Sequence, residues 1–174
     1  MKRLLQTPFD ESLVRSLHAG DQVVLSGTVY TGRDAAHKRL CAMLDRGEPL
    51  PVDLKGEAIY FVGPCPAPPG RPIGSAGPTT SGRMDAYSPR LIGACGLRAM
   101  IGKGNRSAAV VEAMKRHGCV YFAATGGAGA LIARRIVRAE VVAFEDLGPE
   151  AIYRLEFDEL PLVVAIDASG GSLY

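Results

Sequence analysis

The stretch LRAMIGKGNRSAAVVEAMKRHGCVYFAA (97–124) predicts a strand, a helix and a second strand in direct succession. Its first eight residues are a mostly apolar run that ends in glycines, and VYFAA (120–124) is a second apolar run, so both are predicted strands. Between them, Asn105 can cap a helix whose apolar face contains Val110 and Met114. A strand, a helix and a strand in succession are typical of α/β proteins.

The same alternation continues on both sides of this stretch. Upstream, QVVLSGTVY (22–30) predicts a strand rich in β-branched residues, Asp34 can cap the helix that follows, and AIYFVG (58–63) predicts a buried strand. Downstream, three apolar runs predict closing strands: VVAF (141–144), AIYRLEF (151–157) and LVVAI (162–166). Helices that alternate with strands in the middle, and strands that cluster at the end, indicate the α/β class with a mixed sheet flanked by helices.

Length and composition predict one domain, residues 1–174. Hydrophobic residues make up 47% and charged residues 22% of the chain, a balance typical of globular proteins that fold in water. The sequence contains no apolar run long enough to span a membrane, and its first residues, MKRLLQTPFDE, lack the apolar stretch of a secretion signal. We therefore expect a cytoplasmic protein without a membrane partner.

The cysteines predict free thiols. Four are present, Cys41, Cys65, Cys95 and Cys119, and no two of them form a C-x-x-C pair. Iron–sulfur clusters take cysteine thiolates, usually at clustered spacing. Because that spacing is missing, the pattern favours reduced thiols in a cytoplasmic protein and no metal ligated by this chain.

The middle of the chain carries an excess of positive charge, although the net charge of the protein is only +2. Between Gly63 and Ala109 there is one acid, Asp85, and there are six cations: Arg71, Arg83, Arg90, Arg98, Lys103 and Arg106. A cationic centre in a nearly neutral protein favours a small anion over nucleic acid, which would need a wider basic face. Solvated surface arginines are the alternative.

The segment 63–82 holds five glycines and six prolines, which excludes a helix or a central strand and predicts an ordered functional loop. It places Thr79 four residues before Arg83. With Lys103 at a strand end, these residues predict a site for a small dicarboxylate or phosphate. Arg33, at the start of a predicted helix, can lie beside free backbone N–H groups that also attract a carboxylate.

A glycine-rich turn offers a second possibility. GGAGALIA (126–133) follows a predicted strand and opens a predicted helix, as a dinucleotide fingerprint does, but Ile132 occupies the third glycine position. The pattern therefore favours a tight strand-to-helix turn. A non-catalytic module that binds a small anion or a nucleotide through this turn stays as an alternative of a different class.

Five segments taken together resemble a known family. They occur in this order: SGTVYTGRDAAHKRL (26–40), IYFVGP (59–64), GSAGPTTSGRMD (74–85), GKGNRS (102–107) and ATGGAGALIA (124–133). This combination closely resembles the β subunit, or C-terminal domain, of class I fumarases and L-tartrate dehydratases, over nearly the whole chain.

The resemblance implies a swivelling β/β/α fold and a hydro-lyase. The reaction would be the reversible hydration of fumarate to malate, with the dehydration of tartrate to oxaloacetate as the close alternative. In that family the α subunit binds a [4Fe-4S] cluster through three cysteines and leaves one iron open for the substrate. The resemblance thus implies an α-subunit partner in a hetero-oligomer, and no cluster ligand among the four cysteines here.

The resemblance also implies roles for four residues. Arg33 of GRDAAH, Arg83 of the RMD segment and Lys103 of KGN match residues that bind the substrate carboxylates. Thr79, the first threonine of GPTT, matches the residue proposed to move the carbon-bound proton. Fixed cations would stabilise the negative charge that develops when a proton leaves the carbon beside a carboxylate.

Overall fold

Seven strands and five helices form the fold in a computed structural model, which describes residues 2–124 and 129–174. The strands are β1 (Arg3–Gln6), β2 (Gln22–Thr31), β3 (Ala58–Tyr60), β4 (Ala99–Gly102), β5 (Val120–Ala124), β6 (Ile136–Ala143) and β7 (Ile152–Ile166). The helices are α1 (Glu11–Arg15), α2 (Asp34–Asp45), α3 (Ser88–Cys95), α4 (Ala108–His117) and α5 (Gly129–Ala133), with 3₁₀-helices at Ser81–Met84 and Glu145–Glu150. In the described part of the chain, no helix is long and apolar enough to cross a membrane.

The strands belong to one mixed sheet in the order β1-β2-β3-β4-β5-β7-β6. Strands β1 to β5 run parallel to one another, whereas β7 is antiparallel to β5, β6 and β2. Because β2 pairs with β7 as well as with β3, the strands β2, β3, β4, β5 and β7 close into a barrel-like ring. The predicted α/β class with a mixed sheet and flanking helices is confirmed.

Alternate residues of the central strands serve two different apolar clusters. In β4, Ala99 and Ile101 belong to the first cluster and Met100 belongs to the second. In β5, Phe122 belongs to the first cluster and Tyr121 to the second. All five ring strands contribute to the first cluster, whereas α2, α3 and α4 pack on the second. Because successive side chains of a strand point to opposite faces, one set packs inside the ring and the other set packs against the helices.

Two predicted helix caps are wrong by one or two residues. The N-cap of α4 is Ser107, whose side chain accepts a hydrogen bond from the Val110 amide, and not Asn105, whose side-chain oxygen accepts from the Arg106 amide. The N-cap of α2 is Arg33, and Asp34 is the first helical residue. The predicted strand over 22–30 is confirmed by β2.

The closing strands differ from the prediction. The runs AIYRLEF and LVVAI are parts of one 15-residue strand, β7. The register of β7 against β2 shifts between Phe157 and Leu160, where Glu159 has a φ of 56°. VVAF contributes only the end of β6, which begins at Ile136. The short parallel strand β1 was not predicted, because its four residues RLLQ contain only two apolar side chains.

Candidate functional site

Three of the four predicted site residues follow or contact the carboxyl ends of neighbouring parallel strands. Arg33 lies two residues after β2, Lys103 follows β4 directly, and the Thr79 amide donates to the carbonyl of Phe61, the residue after β3, at 2.7 Å. The carboxyl ends of parallel strands meet at one edge of a sheet, the usual place for ligand sites in α/β proteins. The candidate site is at this edge.

The threonine segment lies between the ends of β3 and β4. Besides the Thr79 bond to Phe61, Thr80 forms a parallel bridge with Lys103, and the Ser81 amide donates to the Lys103 carbonyl at 2.9 Å. The end of the glycine- and proline-rich loop therefore extends the hydrogen-bonded ladder of the sheet. Thr79 is half-buried, whereas the side chain of Lys103 is exposed.

Gly102, the last residue of β4, is needed for this close approach. A Cβ atom at Gly102 would overlap the Ser81 Oγ and would lie 2.8 Å from Cδ2 of Phe61. The Tyr121 hydroxyl lies 2.7 Å from both the Ser81 Oγ and the Gly104 carbonyl, so it links the threonine segment to the residues that follow β4. The absence of a side chain at Gly102 makes room for the buried serine.

Arg33 presents a buried donor to the candidate site. Its Nη1 and Cδ atoms pass close to Gly63, where a Cβ would lie 3.1 and 3.0 Å from them. Its Nε is shielded from solvent and has no hydrogen-bond partner among the described residues. A buried guanidinium N–H without an acceptor is costly unless a ligand supplies one.

Arg83 joins the same region through Asp34. Its Nε and Nη2 both lie 3.0 Å from Oδ2 of Asp34, and about half of the Arg83 side chain is exposed. The other carboxylate oxygen of Asp34, Oδ1, is buried without a hydrogen-bond partner in the described chain. Asp34, the residue after Arg33, thus brings Arg83 to the start of α2, whereas the sequence predicted this acid only as a cap.

One of the backbone amides expected to be free beside Arg33 is already occupied. The Ala35 amide, in the first turn of α2, donates to the Glu150 carboxylate at 3.3 Å. The segment that carries Glu150 is fixed to α2 by a bidentate pair between Arg39 and Asp146, with both distances 2.8 Å. For the Ala35 amide the expectation is wrong, because an acid of the chain itself fills the position of a ligand carboxylate.

His37 is a neutral residue under the site. It is buried, its Nδ1 lies 2.8 Å from the Arg33 carbonyl, and its ring contacts the ring of Phe61 edge to face. The pKa of His37 is lowered to about 4, mainly by burial and in part by the charge of Arg106, while the bond to Arg33 and the charge of Asp34 act in the opposite direction. A carbonyl only accepts hydrogen bonds, so Nδ1 carries the proton of the neutral ring.

The cations of the middle segment do not form one anion site. Four of the six are paired with carboxylates: Arg83 with Asp34, Arg90 with Asp45, Arg98 with Glu11 and Arg106 with Asp85. Arg71 and Lys103 have no carboxylate partner within residues 2–124 and 129–174. The pairing of Arg106 was not predicted, although Asp85, the one acid among the six cations, was an available signal.

The described residues do not fit an iron–sulfur cluster. Cys41 and Cys119 are buried, Cys65 is exposed, Cys95 is half-buried, and all four are free thiols. In the described chain no group of three or more His, Cys, Asp or Glu side chains could hold a metal ion. Burial raises the pKa of Cys119 to about 12, which opposes the thiolate form that metal binding requires.

The glycine-rich turn suggested as a nucleotide site lies partly outside the described residues, since residues 125–128 are not described. Its described part begins at Gly129, where a Cβ would overlap the Ser75 Oγ and lie 2.7 Å from the Gly77 amide. The Gly129 carbonyl accepts a hydrogen bond from the Ala76 amide at 3.2 Å. Here the turn supports the loop that leads to Thr79.

Comparison with known proteins gives matches along the whole chain. The Fumarase C-terminus family model matches residues 3–174. "Fumarate hydratase class I, aerobic" of Salmonella typhimurium is 42% identical over 151 residues, which are 86% of this chain and 26% of that protein. "Putative fumarate hydratase class I" of Geobacillus stearothermophilus is 39% identical over 174 residues, 98% of this chain and 33% of that protein.

A second kind of relative has nearly the same length as this chain. The "Putative L(+)-tartrate dehydratase subunit beta" of Methanocaldococcus jannaschii is 39% identical over 170 residues, which are 92% of this chain and 85% of that subunit. By contrast, the chain spans about a quarter of the length of the Salmonella fumarate hydratase. These matches confirm the resemblance to class I fumarases and tartrate dehydratase β subunits: the chain belongs to the fumarase C-terminus family.

Proposed function

We propose that this chain is the β subunit of a hydro-lyase that reversibly hydrates fumarate to malate, and that it holds the substrate carboxylates. The observation that carries the proposal is the buried Nε of Arg33, which has no acceptor among the described residues and lies at the edge where Arg83, Lys103 and Thr79 also lie. Fumarate and malate each have two carboxylates, and a carboxylate oxygen is the acceptor that a guanidinium N–H binds best.

In this proposal Arg33, Arg83 and Lys103 bind the two carboxylates. Arg33 offers a donor held in place by its packing on Gly63, whereas Lys103 contributes an exposed ammonium group. Removal of a proton from the carbon beside a carboxylate builds negative charge on that carboxylate. Fixed cations at this position lower the barrier by roughly 3 kcal/mol for each well-placed group.

Thr79 is proposed to carry the carbon-bound proton. Its backbone amide donates a hydrogen bond to the Phe61 carbonyl, which holds this residue at the edge of the sheet. A threonine hydroxyl is a weak base and needs a group that accepts its proton. A guanidinium has no acceptor atom, so Arg83 cannot take this proton, and we propose that the acceptor comes from the partner chain.

The [4Fe-4S] cluster of the hydro-lyase is proposed to belong to an α subunit, since the described residues of this chain do not fit one. The relative of similar length that is named as a subunit beta supports a separate partner chain. We propose accordingly a cytoplasmic hetero-oligomer in which residues 1–174 act as one swivelling β/β/α domain. The substrate would lie between this domain and the partner.

Tartrate dehydration is the second candidate. It is favoured by one comparison, the putative tartrate dehydratase subunit that matches 92% of this chain and 85% of its own length. Tartrate carries two carboxylates, as malate does, and one further hydroxyl. The same cations can serve both substrates, so a panel of fumarate, malate and both tartrate enantiomers distinguishes the two candidates.

The test uses the complex of the chain with its α subunit. We expect Thr79→Ala to lower kcat for the preferred substrate at least a hundredfold, because the proton carrier is lost, and Arg33→Ala mainly to raise KM. Thr80→Ala is the matched control, since Thr80 is the adjacent exposed threonine and should retain kcat within about twofold.

A kcat near the wild-type value in the Thr79→Ala complex would exclude Thr79 as the proton carrier. Absence of turnover of every dicarboxylate by the wild-type complex, together with nucleotide binding by the chain that is insensitive to Arg83→Ala, would reject the hydro-lyase and favour the binding module.

A further inference from the structure

Arg106 is the most enclosed charged side chain of the candidate site. None of its side-chain surface is exposed, and its Nε lies 2.8 Å from Oδ1 of Asp85. Its Nη2 donates to the Ser88 Oγ at 2.8 Å, and its Nη1 lies 3.2 Å from the sulfur of Met100. Each of the three guanidinium nitrogens therefore has a partner, and three of the five N–H groups are engaged.

The guanidinium plane is also enclosed by two aromatic rings. Its central carbon lies 5.0 Å from the ring centroid of Phe61 and 5.0 Å from that of Tyr121. Cations at this distance from aromatic faces are attracted by the ring quadrupole, most strongly where water is excluded. Arg106 thus contacts β4, β5, the residue after β3 and the start of α3 at the same time.

These partners are the residues that place the proposed site. Phe61 accepts the hydrogen bond of the Thr79 amide, and Tyr121 bonds to Ser81 and to the Gly104 carbonyl. Asp85 follows Arg83 by two residues, and its second oxygen accepts from the Ser107 amide, the N-cap of α4, at 2.8 Å. One guanidinium therefore connects the segment of Thr79 and Arg83 with the segment of Lys103.

We propose that Arg106 is a positioning residue: its pair with Asp85, between the rings of Phe61 and Tyr121, fixes Thr79 and Arg83 relative to Lys103. A buried ion pair stabilises little when compared with apolar residues, but removal of one partner leaves an uncompensated charge and frees the segments it joined. A shift of about 1 Å in the side chains of the proposed site can lower the catalytic rate about a hundredfold. Only this kinetic consequence rests on the proposed function.

The first experiment compares Arg106→Lys with the wild-type chain by hydrogen–deuterium exchange. Lysine keeps the positive charge. Its single ammonium group cannot replace a planar guanidinium that bonds to Asp85 and Ser88 and at the same time stacks between two rings. We expect at least tenfold faster exchange of the Thr79 and Ser81 amides, while the peptides of the β2–β7 pairing are unchanged. Arg90→Lys is the matched control, because Arg90 is a partly exposed arginine that bonds to Asp45 and to the Cys41 carbonyl and to neither ring, and it should alter neither set.

The second experiment measures steady-state kinetics of the complex with the α subunit. Arg106→Lys should lower kcat for fumarate hydration at least tenfold and raise KM as well, because both Thr79 and Lys103 move, whereas Arg90→Lys stays within about twofold of the wild type. A residue that only stabilised the fold would reduce the amount of folded enzyme and leave KM unchanged. If the wild-type complex hydrates no substrate, the proposed function fails, but the exchange experiment still tests Arg106.

Ser88→Ala keeps the inference testable if Arg106→Lys does not fold. This variant removes one hydrogen bond of the guanidinium and retains its pair with Asp85. We expect the same local pattern, with about threefold faster exchange at Thr79 and Ser81. Wild-type exchange at these amides, or an equal increase throughout the sheet, would overturn the positioning role.

Discussion

At the scale of single residues, His37 shows how burial decides the protonation state of a side chain beside the site. The ring lies under Arg33 and Phe61, where the imidazolium form would lose its water. In an unfolded chain the same ring has an ordinary pKa of about 6.5. The folded protein therefore keeps His37 neutral in a pH range where the unfolded chain protonates it.

This difference predicts a loss of stability in mild acid. Since the pKa of His37 is lowered to about 4 in the folded state, its contribution is complete above about pH 6.5 and is lost as the pH falls towards 4. Between pH 7 and pH 5 the expected loss is roughly 2 kcal/mol in the free energy of unfolding, measured by urea denaturation at both values.

His37→Asn is the control for this effect. The asparagine amide can donate to the Arg33 carbonyl, as Nδ1 does, but it does not titrate in this range. The pH dependence between 7 and 5 should therefore decrease by about the amount assigned to the histidine. An unchanged dependence in the variant would show that other groups are responsible.

The resemblance implied one substrate site with Arg33, Thr79, Arg83 and Lys103, and its residues lie at or beside one edge of the sheet, while their roles stay a prediction. The sequence did not predict which cations are free for a ligand. Carboxylate partners such as Asp45 and Glu11 are far from Arg90 and Arg98 in the chain, and only folding brings them together. Local charge counts cannot detect such pairs.

At the scale of the elements, the junction of β4 with the threonine segment depends on Gly102. This glycine does not have a positive φ, so its role is space and not backbone freedom. The Ser81 Oγ occupies the volume that a Cβ would need, and Ser81 is completely buried. The junction has no room to expand without moving a hydrogen-bonded segment.

We therefore predict that Gly102→Ala lowers the free energy of unfolding by about 1–3 kcal/mol, the usual cost of overpacking, and reduces kcat of the complex as Thr79 shifts. Gly82→Ala is the control, because its Cβ would meet only the Asn105 carbonyl at 4.0 Å. Thermal unfolding and steady-state kinetics measure both effects. Equal stability of the two alanine variants would contradict the close approach seen here.

Elements with a strong local pattern were predicted well. β2 and β5 agree with their predicted ranges to within one residue, because each is a run of apolar and β-branched side chains. The caps of α2 and α4 were misplaced by one and two residues, because helix ends also depend on contacts that a local pattern does not contain, such as the Arg83–Asp34 pair at the start of α2.

At the scale of the whole molecule, the closure of the sheet could not be predicted from the sequence. It depends on β2 pairing with β7, for example Val23 with Leu162, which are 139 positions apart. Propensity and periodicity describe neighbours in the chain and carry no information on such distant pairs. The mixed sheet was predictable from element order, whereas the ring was not.

The proposal that the cluster belongs to an α subunit and the carboxylate-binding residues to this chain gives a prediction for the molecule as a whole. Purified alone, this chain should contain no iron and hydrate no fumarate, since its described residues do not fit a cluster. Anaerobic co-expression with the α subunit should yield both iron and activity, measured by metal analysis and by loss of fumarate absorbance. An isolated chain with iron and activity would overturn the assignment as a β subunit.

The loop before Thr79 is closed at its base by hydrogen bonds, so its tip can accept added residues. The Cys65 amide donates to the Ser75 carbonyl and the Gly74 amide to the Cys65 carbonyl, so the excursion over 66–73 is closed at its base. Beyond this base, the Thr79 amide is tied to Phe61 in its own right. Residues added at the exposed tip, around Gly70, would lengthen the excursion at a small entropic cost without changing the path from the base to Thr79. The tip is therefore a suitable place for a fluorophore or an affinity tag on an otherwise intact site.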